Sequence, residues 1–298
     1  MTNPIYKIIA SNLRKEWGKN DSIRNSKYSI PESVVMYDDI SYGKYKKSNL
    51  LCIYKPKAEN SKKLPCIVNF HGGGFFYGDK EVYQFYSAEL AEQGFAVVTF
   101  NYRLAPEYKY PKQLEDINNV MKWISENAAY YGLDTENLFF TGDSAGGRLV
   151  YDYTVMVTNP EYAKKFNLVT PGIKPKAVAL NCGVYDFDLM TDKMNIRMLK
   201  SYIGNHGLKK YAEHLKTKNF LTSDFPPAYV MTASHDFCQY QFQPMVDLLK
   251  SRGIETVARI YGAPDDESAF HVFHIDIGTA LAKECNKDEC NFFKEKLA

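Results

Sequence analysis

Apolar residues along this chain fall into two alternating patterns. Short runs rich in Val, Ile, Phe and Tyr, some nearly uninterrupted (Cys66–Phe70, Phe95–Phe100), recur between longer stretches with an apolar residue every three or four positions. The short runs predict eight strands: Ser33–Tyr37, Leu50–Lys55, Pro65–Phe70, Phe95–Asn101, Leu138–Gly142, Ala177–Cys182, Ala228–Thr232 and Glu255–Ile260. Strands covered by helices on both faces lose the in–out alternation and read as continuous apolar runs. The longer stretches predict helices. Over Lys112–Tyr130, Leu114, Ile117, Val120, Met121 and Ile124 share one face, and Pro111 suits the helix start. Glu81–Gln93, Ala145–Thr158, Gln239–Arg252 and Ile275–Leu297 have similar spacing. Strands alternating with helices predict an α/β fold: an eight-stranded, mostly parallel sheet flanked by helices. Only Asp38–Asn49 separates the first two strands, too little for a helical crossover, so these two are expected antiparallel.

Two segments stand outside the alternation. In residues 1–31, Ile5, Ile8, Ile9, Leu13 and Trp17 form a helical stripe; residues 185–221 hold two helix-like pieces. Both are expected at one end of the sheet as a small helical cap, with packing on the core as the plainer reading of the stripe. The whole chain, 1–298, is expected to be one domain that includes both segments.

Composition narrows the function. With 45% hydrophobic and 24% charged residues the chain is globular rather than disordered. The formal charge of +2 lacks the clustered basic excess of a nucleic-acid binder. There is no run of 18 apolar residues, and the N-terminus lacks the cationic and apolar regions of a secretory signal. The six cysteines include no Cys-x-x-Cys pair, so no metal site is expected and all six are expected reduced, in a cytoplasmic protein.

The chemistry-bearing motifs sit at predicted strand ends. Gly142-Asp-Ser144-Ala-Gly146-Gly147 joins a strand to a helix, where small neighbours make room for a nucleophile on a tight turn and the helix start offers unpaired N–H groups. His71-Gly72-Gly73-Gly74 directly follows the third strand, and such a glycine run can turn backbone N–H groups toward an oxyanion. His71 itself reads as an anchor for that loop. A serine nucleophile needs a base and an acid. His271 and His274 both lie in the loop after the last strand, and Asp236 follows the seventh. The run Asp265, Asp266 and Glu267 reads as a solvated loop.

His71-Gly-Gly-Gly-Phe75, Tyr102-Arg-Leu-Ala-Pro-Glu107 and Gly142-Asp-Ser-Ala-Gly-Gly147, in this order, resemble the hormone-sensitive-lipase branch of the α/β-hydrolase superfamily. The resemblance runs from about residue 33 to the C-terminus and implies the α/β-hydrolase fold. It implies Ser144 as nucleophile, Asp236 as acid and His271 as base, the last because His271-Val-Phe273 resembles the branch's His-x-Phe. It also implies an oxyanion hole from the N–H groups of Gly73, Gly74 and Ala145. Arg148 and Cys238 depart from the pattern. In this loop Arg103 and Glu107 read as structural partners holding the turn. Phe75, Phe76, Tyr77, Tyr185, Phe187 and Phe270 are expected near the site, as pocket lining or as ordinary packing.

The expected activity is therefore hydrolysis of short-chain acyl esters, acetyl to butyryl, without cofactor or metal, by a monomer or homodimer acting on small-molecule esters. The alternatives are an arylformamidase- or peptidase-like amide hydrolase and a non-catalytic ligand-binding homologue. Short acyl groups are favoured because the cap segments are rich in charge, as in Lys193, Arg197, Lys200, Lys209 and Lys210.

Overall fold

In the computed structural model, residues 4–204 and 206–297 are described. Eight strands form one sheet: β1 (Val34–Ser41), β2 (Leu50–Pro56), β3 (Leu64–Phe70), β4 (Ala96–Phe100), β5 (Leu133–Asp143), β6 (Ala177–Asn181), β7 (Ala228–Ala233) and β8 (Thr256–Tyr261). Their spatial order is β1-β2-β4-β3-β5-β6-β7-β8. β2 runs antiparallel to β1 and β4, and every other pairing is parallel. The ten helices of the described residues are α1 (Pro4–Asn25), α2 (Gln84–Glu92), α3 (Lys112–Tyr131), α4 (Ala145–Thr158), α5 (Pro160–Lys165), α6 (Lys193–Ile203), α7 (Gly207–Lys210), α8 (Ala212–Leu215), α9 (Phe242–Ser251) and α10 (Ala280–Lys294).

The continuous apolar strands bury both faces, and one core lies on each. On one side α3, α4 and α9 press Leu114, Leu149 and Met245 toward Val68, Phe140 and Val230 of the sheet. On the other, α2 and α10 bring Leu90, Cys285 and Phe293 to Ile67, Val97 and Phe139. Burying each such side chain is worth about 1.5–3 kcal/mol. α3 stops where Gly132 adopts φ 64° and donates its N–H back to Ala128. All six cysteines are buried and unpaired.

Several boundaries differ from the sequence reading. β1 continues past Tyr37 because the ladder is irregular between Tyr37 and Ile40, where Asp39 takes φ 52° and breaks the alternation. β5 starts five residues earlier than expected, its polar first half pairing Leu133 and Asp134 with the start of β3. α10 begins at Ala280, where Thr279 caps it by accepting from the Ala282 N–H.

Residues of both extra segments, Trp17 and Asp21 of the first and Phe187, Met198 and Leu199 of the second, line the space beside Ser144. α1 is tied down by Arg14, which donates to Phe76 O and Ala105 O and pairs with Glu107. Its stripe is only partly covered: Ile9, Leu13 and Trp17 are half-buried, but Ile5 and Ile8 remain exposed. Among the described residues no helix is long and apolar enough to cross a membrane.

Candidate active site

β5 ends at Asp143 and α4 begins at Ala145, so Ser144 alone makes the turn between them. It does so at φ 51°, ψ −115°, a conformation that costs a non-glycine residue about 1–3 kcal/mol and persists only where the surroundings fix it. They do: the Ser144 N–H donates to Asn181 O at 2.9 Å, and its carbonyl accepts from Arg148 and Val184. The turn also forces α4 close beneath β3. A Cβ on Gly146 would stand 1.9 Å from Phe70 O, so this position admits only glycine.

The loops after β7 and β8 are zipped together by a bridge between His235 and Phe270, with the His235 N–H donating to Ala269 O. Each loop then delivers its next residue: Asp236 from one, His271 from the other. His271 Nε2 lies 3.0 Å from Ser144 Oγ, and His271 Nδ1 lies 2.6 Å from Asp236 Oδ1. Asp236 Oδ1 also accepts from the Cys238 N–H, and Oδ2 from the Thr232 hydroxyl. Burial pushes the Asp236 carboxyl up, but His271 and these two donors outweigh it and hold it below the usual carboxylate range. An ionised carboxylate only accepts. Nδ1 must therefore carry the imidazole proton, leaving Nε2 as acceptor for the serine hydroxyl. The Phe237 ring covers the imidazole at 4.1 Å between centroids. Cys182 Sγ lies within 4.8 Å of the Asp236 and His271 donor atoms. A cation there would compete for the lone pairs that the Nδ1–Oδ1 hydrogen bond uses.

His274 is elsewhere: buried edge-on against Tyr86, its pKa lowered by burial to about 3. Asp265 and Glu267 are exposed, and Asp266 accepts from Ser268 within its own loop.

Gly72–Gly74 pass beside the serine. Gly73 has φ 102°, and a Cβ there would stand 2.2 Å from Tyr77 O. Among the described residues none accepts from the N–H groups of Gly73, Gly74 or Ala145. The loop is braced from both sides. Tyr83 Oη accepts from the Gly72 N–H and donates to Asp143 Oδ2. Asp143 is fully enclosed, and burial raises its carboxyl to about 7 despite that bond. His71 stacks flat on Tyr102 at 4.0 Å, its ring nitrogen toward Gly72 O and its pKa lowered by burial to about 4. From outside, Asp21 accepts from the Tyr77 hydroxyl, and Trp17 packs on Phe76 and Tyr77. Arg103 and Glu107 do not pair with each other. Arg103 is buried on Asp116 and Glu115, and Glu107 receives Arg14 from α1.

A cavity of about 360 Å³ opens at Ser144. Phe75, Tyr77, Phe187 and Phe270 line it, together with Met190, Met198 and Leu199. Phe76 and Tyr185, expected at the pocket, lie outside it. Phe75 sits at φ 69°, which throws its successor Phe76 the other way, onto Trp17. Tyr185 is buried with its hydroxyl accepting from the Gly183 N–H, and faces a neighbouring cleft. The sequence reading missed the wall supplied by Trp17, Asn20, Asp21 and Arg24 of α1. It also missed Thr232, whose position four residues before Asp236 carries no motif.

A family model described as the alpha/beta hydrolase fold matches residues 67–275. Among curated proteins, Esterase LipQ of Mycobacterium tuberculosis is 28% identical over 236 residues, covering 76% of this chain and 53% of that protein. Acetyl esterase of Salmonella choleraesuis is 24% identical, covering 82% and 76%. This chain spans about half the length of several curated relatives, including LipQ and the probable carboxylic ester hydrolase LipM, also of M. tuberculosis. Among solved structures, esterase B from Lactobacillus rhamnosis superimposes with a TM-score of 0.92 at 24% identity, covering 99% of this chain and 96% of that one. The match runs from within β3 past β8 and includes the Ser144 turn and both loops that carry Asp236 and His271, so the chain belongs to the α/β-hydrolase fold family.

Proposed function

We propose that this protein is a serine carboxylic-ester hydrolase for short acyl groups, acetyl to butyryl. The observation that carries the reading is the unbroken hydrogen-bonded line from Ser144 Oγ through His271 to Asp236. In this reading Ser144 Oγ attacks the acyl carbonyl while His271 Nε2 takes its proton. Asp236, kept ionised by its hydrogen bonds with His271, the Cys238 N–H and the Thr232 hydroxyl, fixes the tautomer and stabilises the imidazolium that forms. The N–H groups of Gly73, Gly74 and Ala145 are the donors for the tetrahedral oxyanion. Each such donor is worth about 3–4 kcal/mol in related chemistry. The intermediate collapses, His271 returns the proton to the leaving alcohol, and the acyl group stays on Ser144. Water then repeats the sequence with His271 again as base.

The names of the curated relatives, esterases among them, favour ester over amide cleavage. The presence of all three side chains in hydrogen-bonding order favours an enzyme over a binding homologue. The short-acyl reading rests on space. A cavity of about 360 Å³ must take both acyl and alcohol parts, and α1 and the 185–221 segment roof it as a cap. Each added methylene gains about 0.8 kcal/mol only while it fits. Specificity constants for acetyl, butyryl, octanoyl and palmitoyl p-nitrophenyl esters test this. They should peak by butyryl, and a rise continuing to palmitoyl would overturn the short-acyl reading.

A further inference from the structure

A second cleft, of about 440 Å³, lies behind the first. Phe187 and Leu199 line both. Beyond them the second cleft is walled mainly by Tyr151, Leu208, Leu215, Met245 and Leu248, with Lys216 and Lys218 among its polar residues. An apolar cleft of this size, sharing two lining side chains with the cavity at the candidate nucleophile, has no part in the mechanism above.

The partition is held firmly. Phe187 follows Tyr185 and Asp186, whose backbone is clamped at every polar group. Gln241 Oε1 accepts from the Tyr185 and Asp186 N–H groups, and Gln241 Nε2 donates to Asp186 O. Arg148 donates to Tyr185 O. Lys218 pairs with the Asp186 carboxylate at 2.7 Å. The Phe187 ring then rests on the Arg148 guanidinium, 4.3 Å from centroid to carbon, with Phe75 edge-on at 6.3 Å. A ring stacked on a buried cation and abutting a second aromatic is not free to swing aside.

We propose that Phe187, backed by Leu199, is the residue that ends the acyl pocket: it sets the longest acyl chain accepted by closing the cavity at Ser144 off from the apolar cleft behind. The inference rests on the ester-hydrolase reading and deepens it. It gives Arg148, which departs from the family pattern, a positioning role as the platform for that ring.

The test is Phe187→Ala, with Phe187→Leu as a milder second variant should alanine fold poorly, assayed on p-nitrophenyl esters from acetyl to decanoyl. Each methylene newly buried is worth about a fourfold gain. The ratio of kcat/KM for octanoyl to butyryl ester should therefore rise at least tenfold in Phe187→Ala and less in Phe187→Leu. Adding Leu248→Trp to Phe187→Ala should cancel the gain by filling the cleft. An unchanged ratio in both single variants overturns the proposal, as does a gain that survives Leu248→Trp. A gain seen instead with lengthening alcohols, ethyl through octyl acetate, also overturns it, because Phe187 would then bound the alcohol side. Decanoate binding by calorimetry separates this from the hydrolase reading, since it needs no turnover. On a Ser144→Ala background Phe187→Ala should tighten decanoate at least tenfold. If the wild type cleaves no ester, the hydrolase reading fails, and the binding result alone decides whether Phe187 divides the two spaces.

Discussion

Arg148→Met is expected to destabilise the fold sharply, in a way that depends on pH. Every residue of α4 is buried, so a charge on it must be paired. Arg148, 1% exposed, meets Asp152 at 2.8 Å and donates to Tyr185 O, Leu215 O and Thr217 Oγ1. The Thr217 hydroxyl in turn donates to Asp152. Methionine fills much of the space but leaves a buried carboxylate with no cation, which costs about 3–5 kcal/mol. At about 2.1 cal/mol/K per residue the unfolding entropy converts this to a melting point lower by about 5–8 °C. The sign of the pH dependence follows from burial, the largest influence on Asp152. Without Arg148, burial holds the folded carboxyl above its unfolded pKa. The folded state then keeps a proton that the unfolded state releases, and stability is lost as pH rises, by at most about 1.4 kcal/mol per unit. The deficit measured by urea denaturation should thus be larger at pH 8 than at pH 5. Arg148→Met/Asp152→Leu should recover most of it, since removing both members of a buried pair is far cheaper than removing one. A single variant melting within 2 °C of wild type, or a double variant no better than the single, would refute the reasoning.

His271→Ala should lower kcat/KM for acetyl or butyryl p-nitrophenyl ester by roughly a thousandfold or more, while His274→Ala, far from the serine, should keep most activity; the reverse would reassign the base. Asp143→Asn should change how stability varies with pH. The folded Asp143 carboxyl, near 7, keeps its proton above the unfolded pKa, so the wild type loses stability from this group as pH rises from about 4 to 7. The variant lacks that loss, and its stability relative to wild type should climb by about 1.4 kcal/mol per pH unit across the window in urea titrations. A flat difference would mean that Asp143 is ionised throughout.

The sheet was readable because its strands are buried on both faces and announce themselves as apolar runs. Boundaries slipped where the backbone, not hydrophobicity, decides. Asp39 at positive φ carries β1 on past its regular alternation, and the polar start of β5 pairs beyond the core. The turn holding Ser144 was legible because close approach admits only glycine at Gly146, and that constraint leaves a mark in the sequence. The pocket was less so. Side-chain direction in irregular loops follows single dihedral angles, which sent Phe75 into the cavity and Phe76 out of it. The wall from α1 was hidden because the residues reaching the cavity, Trp17, Asn20, Asp21 and Arg24, lie beyond most of the apolar stripe that marks the helix. Arg148 stood out as an exception, but only its buried partners explain why it is tolerated.

The most direct test is stoichiometric labelling with a fluorophosphonate, located by peptide mass spectrometry and followed by residual esterase activity. The account predicts one adduct per chain, on Ser144, with activity lost in proportion, and a folded Ser144→Ala variant that neither labels nor turns over butyryl ester. Labelling at another residue, or a Ser144→Ala variant keeping a tenth of wild-type turnover, would contradict it.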